Sequence, residues 1–220
     1  MSIATRPASP RRVPTARSLA LAALAAVPLL AGGCVFEQAR FRQTTNVSAP
    51  HVAGSGLRVT ARNGAIDIRK AATPDGKVEI AATLLMVTQE RLGEATIQAN
   101  RDSAGVLEIE AKPPSDGWRS GEGCSFDIAI PDAVGVELKS GNGHLRIEGL
   151  AGKATLETSN GAITVVGHNG DLDARTSNGR VEASDVSGAI VAHTSNGHVT
   201  ISMAPGSYWE FRGAQVTPLP

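Results

Sequence analysis

The chain has 220 residues, of which 41% are hydrophobic but only 3% aromatic, and 24 are glycines. This composition predicts an aliphatic core and many short strands joined by turns, and it disfavours a helical fold. The formal net charge is zero, yet the stretch 1–33 contains four arginines and no acidic residue. Without that stretch, 17 basic residues remain against 21 acidic ones, and a slightly acidic chain is a poor partner for nucleic acid.

Residues 1–33 predict an export signal. The arginines are followed by an apolar run from Leu19 to Ala31 and then by small residues, which is the order of a secretory signal peptide. The run has about 13 residues, whereas a helix needs roughly 20 to span a bilayer, and Pro28 interrupts it. A permanent transmembrane helix is therefore the weaker interpretation.

The segment that ends at Cys34 resembles the lipobox of bacterial lipoproteins. It reads Leu30-Ala31-Gly32-Gly33-Cys34, with Ala31 where a leucine is usual. The resemblance implies that Cys34 is acylated and holds the protein on a membrane through its lipid. Val35 follows instead of an aspartate, which in Gram-negative lipoproteins implies the outer membrane or the cell surface. The alternative is an ordinary signal peptide that leaves Cys34 as a free thiol or as a disulfide partner of Cys124.

The segment after Cys34 predicts a connection between the lipid and a folded domain. Residues 38–56 are polar and small and show no apolar periodicity, so residues 34–55 are interpreted as a tether. The domain follows at residues 56–212, and residues 214–220 form a tail. Within the domain we expect a first coil at 57–70, an insertion at 71–131, regular repeats at 136–202 and a cap at 203–213.

The regular repeats have a constant 18-residue period. Four segments align without gaps, and each contains a Ser/Thr-x-Asn-Gly corner. The corners are Asn142-Gly143, Asn160-Gly161, Asn178-Gly179 and Asn196-Gly197. We expect the asparagines to lie at the inner side of the corner and to hydrogen-bond one another, and the glycines to adopt the positive φ that the bend needs.

Apolar residues alternate with polar ones on both sides of each corner, as in strands with one buried face. After the corners, Leu145, Ile163, Val181 and Val199 share one column, and before them Val136, Ala154, Leu172 and Ile190 share another. Identical residues at constant spacing predict coils stacked in parallel, about 4.8 Å apart. The fold class is therefore all-β, a single β-solenoid of the parallel β-helix type with 18-residue coils. Antiparallel hairpins at the Asn-Gly pairs are the alternative topology.

A fifth copy of the corner occurs earlier, at Asn63-Gly64. Between it and the other four, the insertion predicts strands at 77–88, 95–100, 106–111 and 125–130. These strands are expected to widen the first coils or to cover the open N-terminal end of the array. At the other end, Tyr208, Trp209 and Phe211 predict an aromatic cap.

The corner motif, together with Phe126-Asp-Ile-Ala-Ile130-Pro131, resembles the bacterial putative-adhesin domains. The likeness covers roughly residues 56–211. It implies an exported or membrane-attached β-solenoid without a defined activity, and it says little about the ligand.

The polar residues do not form a pattern typical of an enzyme. Asp171 and Asp173 lie close in sequence but have no acidic column in neighbouring coils, as carbohydrate-active β-helices require. The five histidines are scattered over different coils, so we expect no metal site, no cofactor and no catalytic residue. Cys124 is interpreted as a small filler of the interior.

The remaining hypothesis is a binding or scaffolding surface for a protein or a glycan. The candidate residues point outward after the corners: His144, Arg146, Arg180, Glu182, His198 and Thr200. An ordinary solvated sheet face is the alternative for this row. For the whole protein, the alternatives are a structural or stress-related envelope component without a discrete ligand and a carbohydrate-active enzyme. The sequence does not specify the oligomeric state.

Overall fold

The computed structural model describes residues 39–72, 76–204, 208–211 and 216–218, with only the backbone of the last two segments. All of them belong to one compact unit, Phe36–Pro220. The fold is all-β, with two mixed sheets and one short helix.

Strands alternate between the two sheets along most of the chain. The N-terminal elements are β1 (Phe41–Pro50), β2 (Gly56–Ala61), β3 (Ile66–Lys70), β4 (Lys77–Met86), α1 (Gln89–Glu94), β5 (Thr96–Arg101), β6 (Leu107–Lys112) and β7 (Gly123–Ile130). The regular stack comprises β8 (Gly135–Ser140), β9 (Leu145–Glu148), β10 (Lys153–Asn160), β11 (Ile163–Val166), β12 (Leu172–Asn178), β13 (Val181–Val186), β14 (Ala189–Asn196) and β15 (Val199–Met203). Two short strands follow, β16 (Tyr208–Phe211) and β17 (Val216–Pro218).

Sheet A has the order β1-β4-β7-β3-β9-β11-β13-β15-β17, and sheet B has the order β16-β14-β12-β10-β8-β2-β6-β5. In the regular stack every pairing is parallel and joins equivalent positions of successive repeats. In sheet B, Ala154 pairs with Leu172, and in sheet A, Ile163 pairs with Val181. The Asn-Gly segments therefore connect strands of different sheets, and the antiparallel hairpins of the alternative topology do not occur there.

The core lies between the two sheets and is almost entirely aliphatic. The inward columns predicted from the alternation are buried: Val136, Ala154, Leu172 and Ile190 in sheet B, and Leu145, Ile163, Val181 and Val199 in sheet A. Large and small residues offset each other between strands, because a stack of constant cross-section leaves a fixed volume for each layer.

The insertion covers one end of the stack. Strands β6 and β7 pair in parallel with β2 and β3, on the side away from β8 and β9. Beyond them, β4 and β5 are antiparallel to β7 and β6, and β1 is antiparallel to β4. The four strands predicted within the insertion are all present, whereas helix α1 was not predicted from the sequence.

Two regions differ from the sequence interpretation. Residues 41–50, within the proposed tether, form strand β1, because β4 offers a ten-residue edge that pairs with them without a break. At the C-terminal end, β16 pairs with β14, and β17, within the proposed tail, pairs with β15. The side chains of the predicted aromatic cap lie outside the described residues.

Candidate functional site

The six predicted binding residues lie at the outer surface of sheet A, and we call them the polar face. Arg146, Glu182 and Thr200 occupy one row across the strands, with Thr164 between the first two. His144, Arg180 and His198 are exposed and come directly before these strands. The structure thus brings the six residues onto one surface, because each lies at the same position of its own repeat.

Most charged side chains of the polar face pair with each other or with a charged residue just outside it. Arg146 Nη2 lies 3.0 Å from Glu148 Oε2, and Arg180 Nε lies 2.9 Å from Glu182 Oε1. His144 Nε2 lies 3.0 Å from Asp67 Oδ2 of the neighbouring strand β3. These partly exposed pairs add little stability, but they leave the surface nearly neutral and rich in hydrogen-bonding groups.

A ladder of hydrogen bonds connects the corner asparagines. Each side-chain amide donates to the side-chain oxygen of the preceding asparagine: Asn196 to Asn178 (2.8 Å), Asn178 to Asn160 (2.8 Å), Asn160 to Asn142 (2.7 Å) and Asn142 to Asn63 (2.5 Å). The ladder ends where Asn63 Nδ2 donates to the carbonyl oxygen of Glu122, 2.8 Å away. This ladder joins the corners of successive repeats across the paired strands.

The position of these asparagines differs from the prediction. Ser140, Thr158, Thr176 and Thr194 are buried, as their parity predicts, but Asn142, Asn160, Asn178 and Asn196 are exposed. The alternation stops at the threonines because the chain turns there toward the other sheet. The threonine hydroxyls donate inward instead, as Thr176 Oγ1 does to the carbonyl oxygen of Gly161 at 3.0 Å.

The reason for the corner glycines also differs from the prediction. Gly64, Gly143, Gly161, Gly179 and Gly197 do not have positive φ. A Cβ at Gly161 would lie 2.0 Å from the carbonyl oxygen of Gly143 in the preceding repeat. The requirement for glycine is therefore the close approach of stacked backbones.

Positive φ occurs at the opposite corner, in a second glycine column that sequence reasoning missed. Gly152, Gly170 and Gly188 have φ of +92°, +148° and +104°, and they recur with the same period as the Asn-Gly corners. The constant spacing of these three glycines in the sequence could have indicated a second corner in each repeat.

Buried polar groups form a second feature that the sequence did not predict. Arg91 on α1 donates from Nε to Glu122 Oε1 at 2.6 Å and from Nη2 to Glu122 Oε2 at 2.7 Å. Burial raises the pKa of Glu122, but hydrogen bonds from Arg91 and from the backbone N–H groups of Arg119 and Val87 outweigh it and lower the pKa to about 2. The Arg91 side chain also bonds Asp116 and the carbonyl oxygen of Gly117, so it fixes the loop between β6 and β7.

The candidate catalytic and ligating groups are not assembled into a centre. Asp171 accepts a hydrogen bond from the backbone of Ala189 at 3.0 Å, and Asp173 pairs with Arg175 at 2.7 Å. Within residues 39–72 and 76–204, no group of three or more potential metal ligands comes together.

The two cysteines have different positions. Cys124 is buried, and burial raises the pKa of its thiol to about 12, so it is unreactive. Cys34, the predicted lipidation site, lies outside the described residues. In the part of the chain that the structure describes, no helix has the length and apolar character needed to span a bilayer.

No protein-family model matches the chain, and no curated protein matches it. A putative adhesin from Bacteroides fragilis NCTC 9343 is 12% identical over 80% of this chain and 96% of its own, with a TM-score of 0.38. A putative cell adhesion protein from Clostridium sporogenes ATCC 15579 is 11% identical over 69% and 73%, with a TM-score of 0.30. A putative lipid binding protein from Parabacteroides distasonis ATCC 8503 is 9% identical over 81% and 97%, with a TM-score of 0.33.

Proposed function

We propose that this chain is an envelope lipoprotein that displays a non-catalytic β-solenoid and binds a protein or glycan ligand through its polar face. The observation that carries the proposal is the regular outward row of sheet A, in which Arg146, Thr164, Glu182 and Thr200 lie side by side on parallel strands. Such a row holds its side chains at a fixed spacing of about 4.8 Å, so a ligand meets an already ordered surface.

The solenoid with 18-residue coils is supported by the pairing pattern. Consecutive strands alternate between sheets B and A, and strands of successive repeats pair in register in both sheets. Deleting residues 154–171, one whole coil, should leave a folded protein because the flanking coils remain in phase. Deleting residues 154–162, half a coil, should abolish cooperative unfolding measured by circular dichroism; equal behaviour of the two deletions would contradict the coil assignment.

Binding through the polar face is tested with two matched substitutions. Thr164 and Thr155 are half-buried, outward threonines of the same coil, one in sheet A and one in sheet B. Thr164→Trp should obstruct the polar face and abolish ligand retention in glycan arrays and envelope-extract pull-downs, whereas Thr155→Trp should retain the wild-type ligands. Equal retention by both variants would place the ligand elsewhere.

The anchor is tested separately. In cells, Cys34→Ser should move the protein from the membrane fraction to the soluble fraction, because the thiol that accepts the lipid is then missing. Retention of the variant in the membrane would contradict the lipoprotein assignment without affecting the binding test.

A further inference from the structure

A polar groove lies where the corners of two neighbouring coils meet the loop between β6 and β7. Its lining residues are Arg62, Asn63, Ser120, Gly121, Gly141 and Asn142, and its volume is about 690 Å³. None of them belongs to the polar face of sheet A. The groove is therefore a separate feature that the proposed function does not use.

The groove lies where a glycine replaces the serine that precedes the corner asparagine in the other repeats. The position before the corner asparagine is an exposed serine in three coils, Ser159, Ser177 and Ser195, but it is Gly141 in the coil beside Arg62. A Cβ at Gly141 would lie 2.5 Å from the carbonyl oxygen of Arg62, so the backbone contact excludes a side chain here. The missing side chain opens the surface next to the Arg62 guanidinium.

The lining presents hydrogen-bond donors without an accompanying carboxylate. Arg146, Arg175 and Arg180 each pair with an acidic residue, but among the described residues no carboxylate pairs with the exposed Arg62. The ladder uses one N–H group of each asparagine amide, from Asn142 to Asn63 and from Asn63 to Glu122. Since a primary amide has two N–H groups, each asparagine retains one for a ligand.

Two other lining residues belong to a hydrogen-bonded loop. Ser120 and Gly121 directly precede Glu122, whose carboxylate accepts hydrogen bonds from Arg91 and from Arg119 N at 2.8 Å. The negative charge of Glu122 is thus compensated inside the protein, and the side chain is fully buried. Buried ion pairs contribute little net stability, but this one fixes the loop beside the groove.

The geometry points to a binding site for the carboxylate group of an acidic saccharide. A guanidinium such as that of Arg62 matches a carboxylate through two parallel hydrogen bonds, and the amides of Asn63 and Asn142 line the same groove and can donate to other oxygens of the ligand. The lining side chains are those of one arginine, two asparagines and one serine, all of which can form hydrogen bonds. A polar chain that carries both carboxylates and hydroxyls suits this lining best.

The test is titration of the folded protein with trigalacturonate, followed by calorimetry, at low and at high salt. Arg62→Gln should weaken binding by about tenfold or more, since it removes the charge and the paired hydrogen bonds. Arg175→Gln is the matched control, because it removes an exposed arginine of sheet B that already pairs with Asp173. The wild type and this control should bind trigalacturonate equally, and high salt should weaken both.

Three results would overturn the proposal. The first is no binding of trigalacturonate by the wild type, and the second is equal affinity of Arg62→Gln and the wild type. The third is equal affinity of the wild type for trigalacturonate and for the uncharged maltotriose, which would exclude recognition of the carboxylate. Circular dichroism of both variants checks that the fold is unchanged, and the Thr164→Trp variant should still bind trigalacturonate, whatever ligand the polar face has.

Discussion

In the regular stack each buried residue packs on its equivalent in the next repeat, whereas the strands that cover the stack at its N-terminal end depend on contacts that occur once. The stack contains repeated columns of aliphatic side chains, buried threonines and close glycine contacts. The N-terminal region instead contains a buried ion pair between Arg91 and Glu122 and antiparallel edge strands. Because the repeats are alike, the same kinds of contact stabilise each of them, whereas the N-terminal strands depend on contacts that the repeats do not contain.

The largest loss of stability is expected from a charge placed in the core of the regular stack. Ile163 is completely buried in its column, and replacing it with aspartate places an unpaired charge in the core, at a cost of about 4 kcal/mol or more. The neighbouring Thr164 points outward, so Thr164→Asp should change the free energy of unfolding by less than about 1 kcal/mol. Urea denaturation measures both; similar losses would show that the assignment of inner and outer faces is wrong.

The next largest loss of stability is expected from a substitution in the buried ion pair of the N-terminal region. Glu122→Gln removes the fully buried carboxylate and leaves Asp116, which is half exposed, as the remaining acidic partner of Arg91. The free energy of unfolding should fall by about 3 kcal/mol, the lower end of the range for a broken buried pair, because Asp116 still compensates part of the charge. As a control, Asp127→Asn removes an exposed partner of Arg69 and should cost less than about 1 kcal/mol. Urea denaturation at neutral pH compares the two variants, and equal losses would contradict the burial of the Arg91–Glu122 pair.

The same ion pair predicts how the wild type responds to acid. Because Glu122 has a lower pKa in the folded than in the unfolded chain, its contribution is complete above the ordinary value of 4.5 and is lost as the pH falls toward about 2. Denaturation curves across this range should show a smaller loss for Glu122→Gln than for the wild type. Parallel losses would contradict the assigned role of the ion pair.

Replacing a glycine by alanine should have smaller effects on stability, of opposite sign in the two regions. Gly161→Ala brings a Cβ against the backbone of the preceding repeat and should destabilise the stack by about 1–3 kcal/mol. Gly93, in α1, has nothing within 4 Å of an added Cβ, so Gly93→Ala should stabilise the protein by up to about 1 kcal/mol. Thermal unfolding gives the sign of each change, and a stabilising Gly161→Ala would show that the backbones of neighbouring repeats can move apart at little cost.

The smallest effect concerns an irregular residue inside the stack. His168 is buried in a column with Leu150 and Val186, and its Nε2 donates to the carbonyl oxygen of Gly152 at 2.8 Å. Burial lowers the pKa of His168, so below its ordinary value of 6.5 the unfolded chain binds a proton that the folded chain does not. Stability should therefore fall as the pH drops below 6.5.

His168→Leu should remove this pH dependence, because leucine does not titrate, and it should fit the site, because Leu150 and Val186 of the same column are also buried aliphatic residues. The measurement is the urea midpoint at about pH 7.5 and at about pH 5.5, with the exposed His198→Ala as the control. If His168→Leu and the wild type lose the same stability between these two conditions, proton exclusion from His168 is not the cause.

Much of the regular stack was predictable because its physical causes are local and repeated. The alternation around the Asn-Gly corners identified the buried columns, and the constant spacing predicted which residues of successive repeats are neighbours. The same argument placed the residues of the polar face on one surface. Local patterns failed at the turn itself, where the chain direction changes and Asn160 points outward although its parity suggests the interior.

By itself, the sequence determined the all-β class, the period and the two faces of each repeated strand, because these depend on residue spacing alone. Only the tertiary structure decided that β1 pairs with β4, that Arg91 meets Glu122 and that Gly141 opens a groove beside Arg62. Each of these contacts joins residues from unlike segments at no fixed spacing. A contact that is made only once produces no periodic pattern in the sequence, so only the packing of the segments in the tertiary structure identifies it.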